Sequence, residues 1–196
     1  MKKKLLASLL VVGLLTSFTQ VADAAGSTHT IQKGETLSSI SDQYAIPAAA
    51  IKRSNNLSSD YVIAGDKLDI PASVSQDEKA LLARLIHAEA KGESYAGKVA
   101  VGTVVLNRVD SSEYPDSVND VIYERSASGH YAFSPVLDGS ISNKADSESV
   151  RAAEEALQFR GQGQNSLYFY NPDTATSTWV STREQTIVIG NHVFAK

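Results

Sequence analysis

The sequence predicts an α+β protein in two unequal parts: a small strand–helix–helix–strand unit, then a larger, mainly helical unit with short strands. Three observations carry that reading. The 196 residues are 42% hydrophobic and 20% charged, with 12 glycines and 5 prolines, which is globular composition and excludes a collagen-like or largely disordered chain. The character of the chain changes around residues 71–76, with a compact pattern before and longer helical patterns after. Apolar residues recur three and four apart in several segments, and β-rich runs gather near the C-terminus.

Charge and cysteine content narrow the chemistry. Lys and Arg number 18 against 22 Asp and Glu, for a net charge of -4, and no basic tract lies beyond the extreme N-terminus. Nucleic-acid binding therefore has no electrostatic footprint. Cysteine is absent, which removes disulfides, thiolate-bound zinc, iron–sulfur clusters and a cysteine nucleophile.

The first 24 residues read as a signal peptide. Lys2, Lys3 and Lys4 form a positive start, residues 5–18 an apolar stretch, and Ala22-Asp23-Ala24 a small-x-small cleavage pattern. The apolar stretch is shorter than the ~20 residues that cross a bilayer, so export without a lasting membrane anchor is expected. Cleavage after Ala24 removes three lysines and one aspartate, taking the net charge from -4 to -6.

Residues 28–72 form the first unit. A short extended segment at 29–32 leads into a turn at Lys33-Gly34-Glu35. Thr36 caps a helix carrying Leu37, Ile40 and Tyr44, and Pro47 opens a second with Ala50 and Ile51 inward. Asn55-Asn56 breaks that helix, and residues 63–70 turn into a closing strand ended by Pro71. The whole stretch resembles a LysM domain, on His29-Thr30-Ile31-Gln32-Lys33-Gly34-Glu35-Thr36-Leu37, Ile40-Ser41, Ile51, Asn55-Asn56-Leu57, Ala64-Gly65-Asp66-Lys67-Leu68 and Ile70-Pro71. The resemblance implies binding of N-acetylglucosamine-containing glycan in a groove between Gly34, Glu35, Thr36 and Leu37 on one side and Ile63 on the other. Glu35 stands where that family more often has Asp.

Residues 73–77 read as a linker, and 78–196 as the second unit. Ser75-Gln76-Asp77-Glu78 is a capping box, so a helix runs from Gln76 towards Gly92. Its apolar stripe contains Leu82, Leu85 and Ile86, and Glu89 follows at i+7, i+4 and i+3, on the same stripe. A carboxylate there is costly to ionise, so its pKa rises. Such an acid suits protonation of a glycosidic oxygen, although a buried structural Glu paired with Arg84 or Arg108 fits the same pattern. No H-E-x-x-H or G-x-S-x-G occurs, and the four histidines are scattered, so a zinc amidase or an α/β-hydrolase has little support.

Further helices are expected over 99–109, with Val101, Val104, Val105 and Arg108 on one side, over 117–122, and from Asp146 to Gly161. Residues 126–145 read as a long loop, 167–170 as a strand, and the remainder as irregular with short strands. This unit resembles the catalytic domain of SleB/CwlJ-type cell-wall hydrolases, the spore-cortex-lytic type. The motifs are Leu82-Ala83-Arg84-Leu85-Ile86-His87-Ala88-Glu89-Ala90-Lys91-Gly92-Glu93, Gly97-Lys98-Val99-Ala100-Val101, Val105-Leu106-Asn107-Arg108-Val109, Phe133-Ser134-Pro135-Val136, Tyr168-Phe169-Tyr170-Asn171-Pro172, Trp179 and Ile189-Gly190-Asn191-His192-Val193-Phe194.

That resemblance implies a lysozyme-like, mainly helical α+β fold, cleavage between N-acetylmuramic acid and N-acetylglucosamine, and Glu89 as the catalytic acid. Lys91 and Ala132 depart from the arginine and glutamine frequent there. Phe133, Ser134, Tyr168, Tyr170, Asn171 and His192 are expected to line the sugar groove, with neither metal nor cofactor. A lytic transglycosylase with Glu89 as its single acid/base is the favoured reading. A hydrolase with a second carboxylate, Glu93 being nearest in sequence, and a non-catalytic wall-binding or spore-coat protein are the alternatives. The expected partner is peptidoglycan, at the bacterial cell wall or spore, and the expected state a monomer.

Overall fold

A computed structural model describes residues 26–126, 129–162, 164–175 and 178–196; the signal segment lies outside the described residues. In the first unit β1 (Ser27–Thr30) pairs antiparallel with β2 (Lys67–Ile70), His29 opposite Leu68. Between them stand α1 (Leu37–Tyr44) and α2 (Ala48–Ser54). Thr36 caps α1 through a box completed by Ser39, and Asn55 closes α2. The side-chain amide of Asn55 also bridges to the backbone of Asp69 in β2, at 2.7 Å in both directions. Ile31, Leu37, Ile40, Ile46, Ala50, Ile51, Leu68 and Ile70 form this unit's own core.

The second unit is helical around α3 (Gln76–Glu89), α4 (Tyr95–Val109) and α7 (Ser147–Gln158), which pack on one another. Shorter helices α5 (Val118–Ile122) and α6 (Ser134–Asp138) lie against α3. A three-stranded antiparallel sheet follows in the order β3 (Tyr168–Tyr170), β5 (His192–Ala195), β4 (Gln185–Ile189), with β5 central and buried throughout. The class is α+β, as the sequence predicts.

Two expectations need correction. Helix α4 starts four residues earlier than the apolar pattern suggests, because Ser94 caps it by accepting from the Gly97 N–H. The stretch 126–145 is not one loop: it holds α6 and a 3-10 turn at Ser140–Ser142. Short strands form near the C-terminus, as the sequence predicts, with a hairpin turning at Gly190, whose φ is +59°.

Candidate active site

The last turn of α3 delivers Glu89. Leu82, Leu85 and Ile86 on the same stripe are fully buried, which fixes the helix against the core and leaves Glu89 partly buried where the stripe meets a cleft. Arg108 from α4, Arg125, Tyr131, Phe133, Ser134 and Leu137 join it around a cleft of ≈ 560 Å³, as does Phe169 from β3. Glu89 is the only carboxylate among the described residues of its lining. Burial pushes its pKa from 4.5 up to about 7 against two hydrogen bonds from Ser134, through hydroxyl and backbone N–H, that favour the ion. The charge of Asp138 raises it further and that of Arg108 lowers it.

The groove residues expected from sequence divide. Phe133 and Ser134 lie at the cleft. Phe133 is 3% exposed, its ring stacked 6.4 Å from Phe169, so it forms wall rather than an open platform. Tyr168 and Tyr170 point to the face of β3 opposite Phe169 and do not line the cleft. The Tyr168 hydroxyl meets that of Tyr114 at 3.0 Å, and its ring meets Trp179 edge-on at 5.2 Å. The Asn171 side chain folds back to accept from the Asp173 N–H at 2.9 Å, shaping a turn.

His192 is 8% exposed and packs on Phe169 and Phe194 behind the cleft wall. Burial lowers its pKa, which favours a neutral imidazole, and its Nδ1 has no hydrogen-bond partner among the described residues. Glu93 accepts from the Asn191 backbone and side-chain amides at 3.2 and 3.1 Å, so it fastens the β4–β5 turn. Sequence reasoning missed Phe169, Leu137 and Tyr131 as cleft residues. It placed Arg108 on the inner face of α4 and gave it a role only as one of two structural partners for Glu89, although a cation on an apolar stripe is the same signal that singled out Glu89.

In the first unit Gly34 adopts φ +93°, a conformation that favours glycine, and leaves open space where a side chain would stand. The Glu35 carboxylate accepts from the Gln32 N–H at 2.7 Å and meets His29 Nε2 at 2.7 Å, contacts that hold its pKa below the ordinary value. Thr36 is the α1 cap. Leu37 is 1% exposed, so its side chain belongs to the core and only its backbone is left to meet a ligand. Ile63 is exposed, as is nearby Tyr61.

A βααβ unit joined to an α+β unit with one elevated carboxyl group in an aromatic cleft defines a two-part protein of the LysM-plus-wall-hydrolase class. The LysM domain model matches residues 29–71 and the Cell Wall Hydrolase model residues 92–195. The chain belongs to the cell wall hydrolase family.

It is 40% identical over 129 residues to the spore cortex-lytic enzyme of Oceanobacillus iheyensis, covering 66% of this chain and 45% of that protein. The chain thus spans less than half the length of that curated relative. A stretch of 129 residues within 196 necessarily includes residue 89, although the family match starts at 92. Two solved structures are similar. The catalytic domain of the Bacillus cereus SleB protein has TM-score 0.57 and 40% identity, over 64% of this chain and 94% of that one. The catalytic domain of the germination-specific lytic transglycosylase SleB from Bacillus anthracis has TM-score 0.57 and 39% identity, over 65% and 100%.

Proposed function

We propose that the protein is an exported peptidoglycan-cleaving enzyme, a lytic transglycosylase that cuts between N-acetylmuramic acid and N-acetylglucosamine with Glu89 as its acid and base. The observation that carries the reading is the one carboxyl group among the described residues of the cleft lining, whose pKa burial pushes up to about 7. In the first step the Glu89 carboxylic acid protonates the glycosidic oxygen, and the bond from C1 of the muramic sugar to that oxygen breaks. The N-acetylglucosamine side leaves with a new 4-hydroxyl. In the second, the Glu89 carboxylate takes the proton of the muramic C6 hydroxyl while O6 bonds to C1, closing a 1,6-anhydro ring. The glutamic acid is restored and no water is consumed. One group serves both steps because a pKa near neutrality makes neither proton transfer steep. The printed description of the Bacillus anthracis relative as a lytic transglycosylase supports this route.

The LysM unit, with Gly34, Glu35, Thr36, the Leu37 backbone and Ile63 around its groove, anchors the enzyme to the glycan. We place the first unit at 28–72 and the second at 78–196, acting as a monomer at the cell wall or spore.

A hydrolytic reading needs a second carboxylate, and the structure offers Asp138 rather than Glu93. Asp138 lies one helical turn beyond Ser134 on α6, and Ser140 lowers its pKa by hydrogen bonding, so the two acids have opposite shifts. Digestion of purified peptidoglycan by the wild type, Glu89→Gln and Asp138→Asn, with products weighed by mass spectrometry, separates the routes. Anhydro products lighter by one water, lost with Glu89→Gln and kept with Asp138→Asn, are the expected result. Reducing ends that disappear with Asp138→Asn would establish hydrolysis. A Glu89→Gln variant as active as the wild type overturns both.

A further inference from the structure

Arg108 sits on the inner face of α4 in line with Val101, Val104 and Val105, three buried residues. Burial works against its charge and lowers its pKa from the arginine value, yet a guanidinium remains cationic. Aromatic faces surround it: its guanidinium carbon lies 5.0 Å from the ring centres of Tyr114 and Phe133 and 5.7 Å from that of Tyr168. The Nε donates to the Leu167 carbonyl at 2.8 Å. Among the described residues no acceptor takes its two Nη groups and no carboxylate pairs with it within 4.0 Å, and the residue lines the same cleft as Glu89. The cage fixes the cation with none of the described carboxylates in contact, and the charges of Glu124 and, less strongly, Glu89 both act on it.

The other groups around Glu89 do not supply this. Ser134 contributes neutral donors from α6, and Asp138 on the same helix is repulsive. Arg125 is exposed, its guanidinium laid over the Tyr131 ring at 4.2 Å, so water screens it. His130 and Tyr131 complete the polar rim. From these placements we infer that Arg108 is the positioning residue for the ionised state of Glu89, a caged cation that stabilises the carboxylate across the cleft between proton donation and proton recovery. The inference rests on the acid/base reading of Glu89.

Arg108→Met, Arg108→Gln and Arg108→Lys in the full chain test it. The Glu89 carboxyl carbon is followed through its titration by NMR, beside the pH profile of kcat/KM on isolated glycan strands. Losing the cation disfavours the carboxylate, so the Met and Gln variants should raise the Glu89 midpoint by about half a pH unit or more. The alkaline limb of the profile should move with it, and kcat should fall roughly tenfold or more with KM little changed. Lys, which keeps the charge, should bring the midpoint back towards wild type. A rate loss with an unmoved midpoint in whichever of Met and Gln folds would reduce Arg108 to a packing element and overturn the inference. Full activity in Glu89→Gln overturns the acid/base reading and this role with it, whatever the titration of the Arg108 variants shows.

Discussion

Glu89 makes a prediction about stability that is independent of turnover. Its pKa stands near 7 in the folded chain, against 4.5 as the unperturbed value. The native state therefore binds more protons than the unfolded chain between those pH values, and stability declines as pH rises through that window. The full difference amounts to roughly 3 kcal/mol above pH 7, an upper figure because the group is only partly buried. Glu89→Gln removes the ionisation. It should match the wild type below about pH 4 and become the more stable of the two by pH 8, read as urea midpoints at both pH values; a parallel pH dependence in the two proteins would contradict the shift. At this scale the sequence was informative for a simple reason. Helix periodicity alone puts a carboxyl among Leu82, Leu85 and Ile86, and Arg108 obeys the same rule. Tyr168 and Tyr170 misled because period-2 alternation says they share a face but not which one. Their neighbour Phe169 took the cleft.

Most elements with a side-chain cap were legible, Ser94 at the start of α4 being the exception, and weakly marked ones were not. Thr36, Ser75 and Asp146 each start a helix where the sequence predicts one. Helix α6 escaped notice because five residues starting Ser-Pro inside a Ser- and Gly-rich stretch carry no readable period. Its placement belongs to the tertiary fold, since Ser134 at its start acts on Glu89 of α3, 45 residues away along the chain. Glu78 shows how one side chain can serve two elements. Its Oε2 completes the α3 capping box at Ser75, and its Oε1 accepts from the backbone N–H groups of Val118 and Asn119 at 3.1 and 3.4 Å, where α5 begins. Glu78→Ala should therefore cost more than an ordinary cap, about 2 kcal/mol, because it frees donors on two helices at once. Glu78→Gln, which retains an acceptor, should recover part of that loss. Denaturant midpoints measure both, and activity per folded molecule should stay unchanged because Glu78 does not line the cleft.

The seam between the two units could not be read from sequence, since it consists of tertiary contacts distant along the chain. Arg160 at the end of α7 is 2% exposed; it donates to Asp110 through Nε and Nη2 and to the Ala72 carbonyl at 2.7 Å through Nη1. Arg53 of α2 donates to the Asn107 side chain at 2.8 Å. Gly161, at φ +81°, lies so close to the backbone of Ala49 and Ala50 that a Cβ there would overlap it. A LysM domain held this closely is more than a tether. On the proposed reading, the Arg160, Arg53 and Gly161 contacts hold the groove at Gly34, Glu35, Thr36 and Ile63 at a fixed separation from the Glu89 cleft. Gly161→Val, paired with the milder Arg53→Ala, tests that geometry. Both cores should stay folded by near-UV circular dichroism, while the radius of gyration from solution scattering rises, more for Val than for Ala. Digestion of insoluble sacculi should then fall several-fold more than digestion of short soluble strands, because only a long strand engages both sites at once. Unchanged scattering with both activities lowered equally would mean that the seam stabilises the fold without setting the spacing of the two glycan sites.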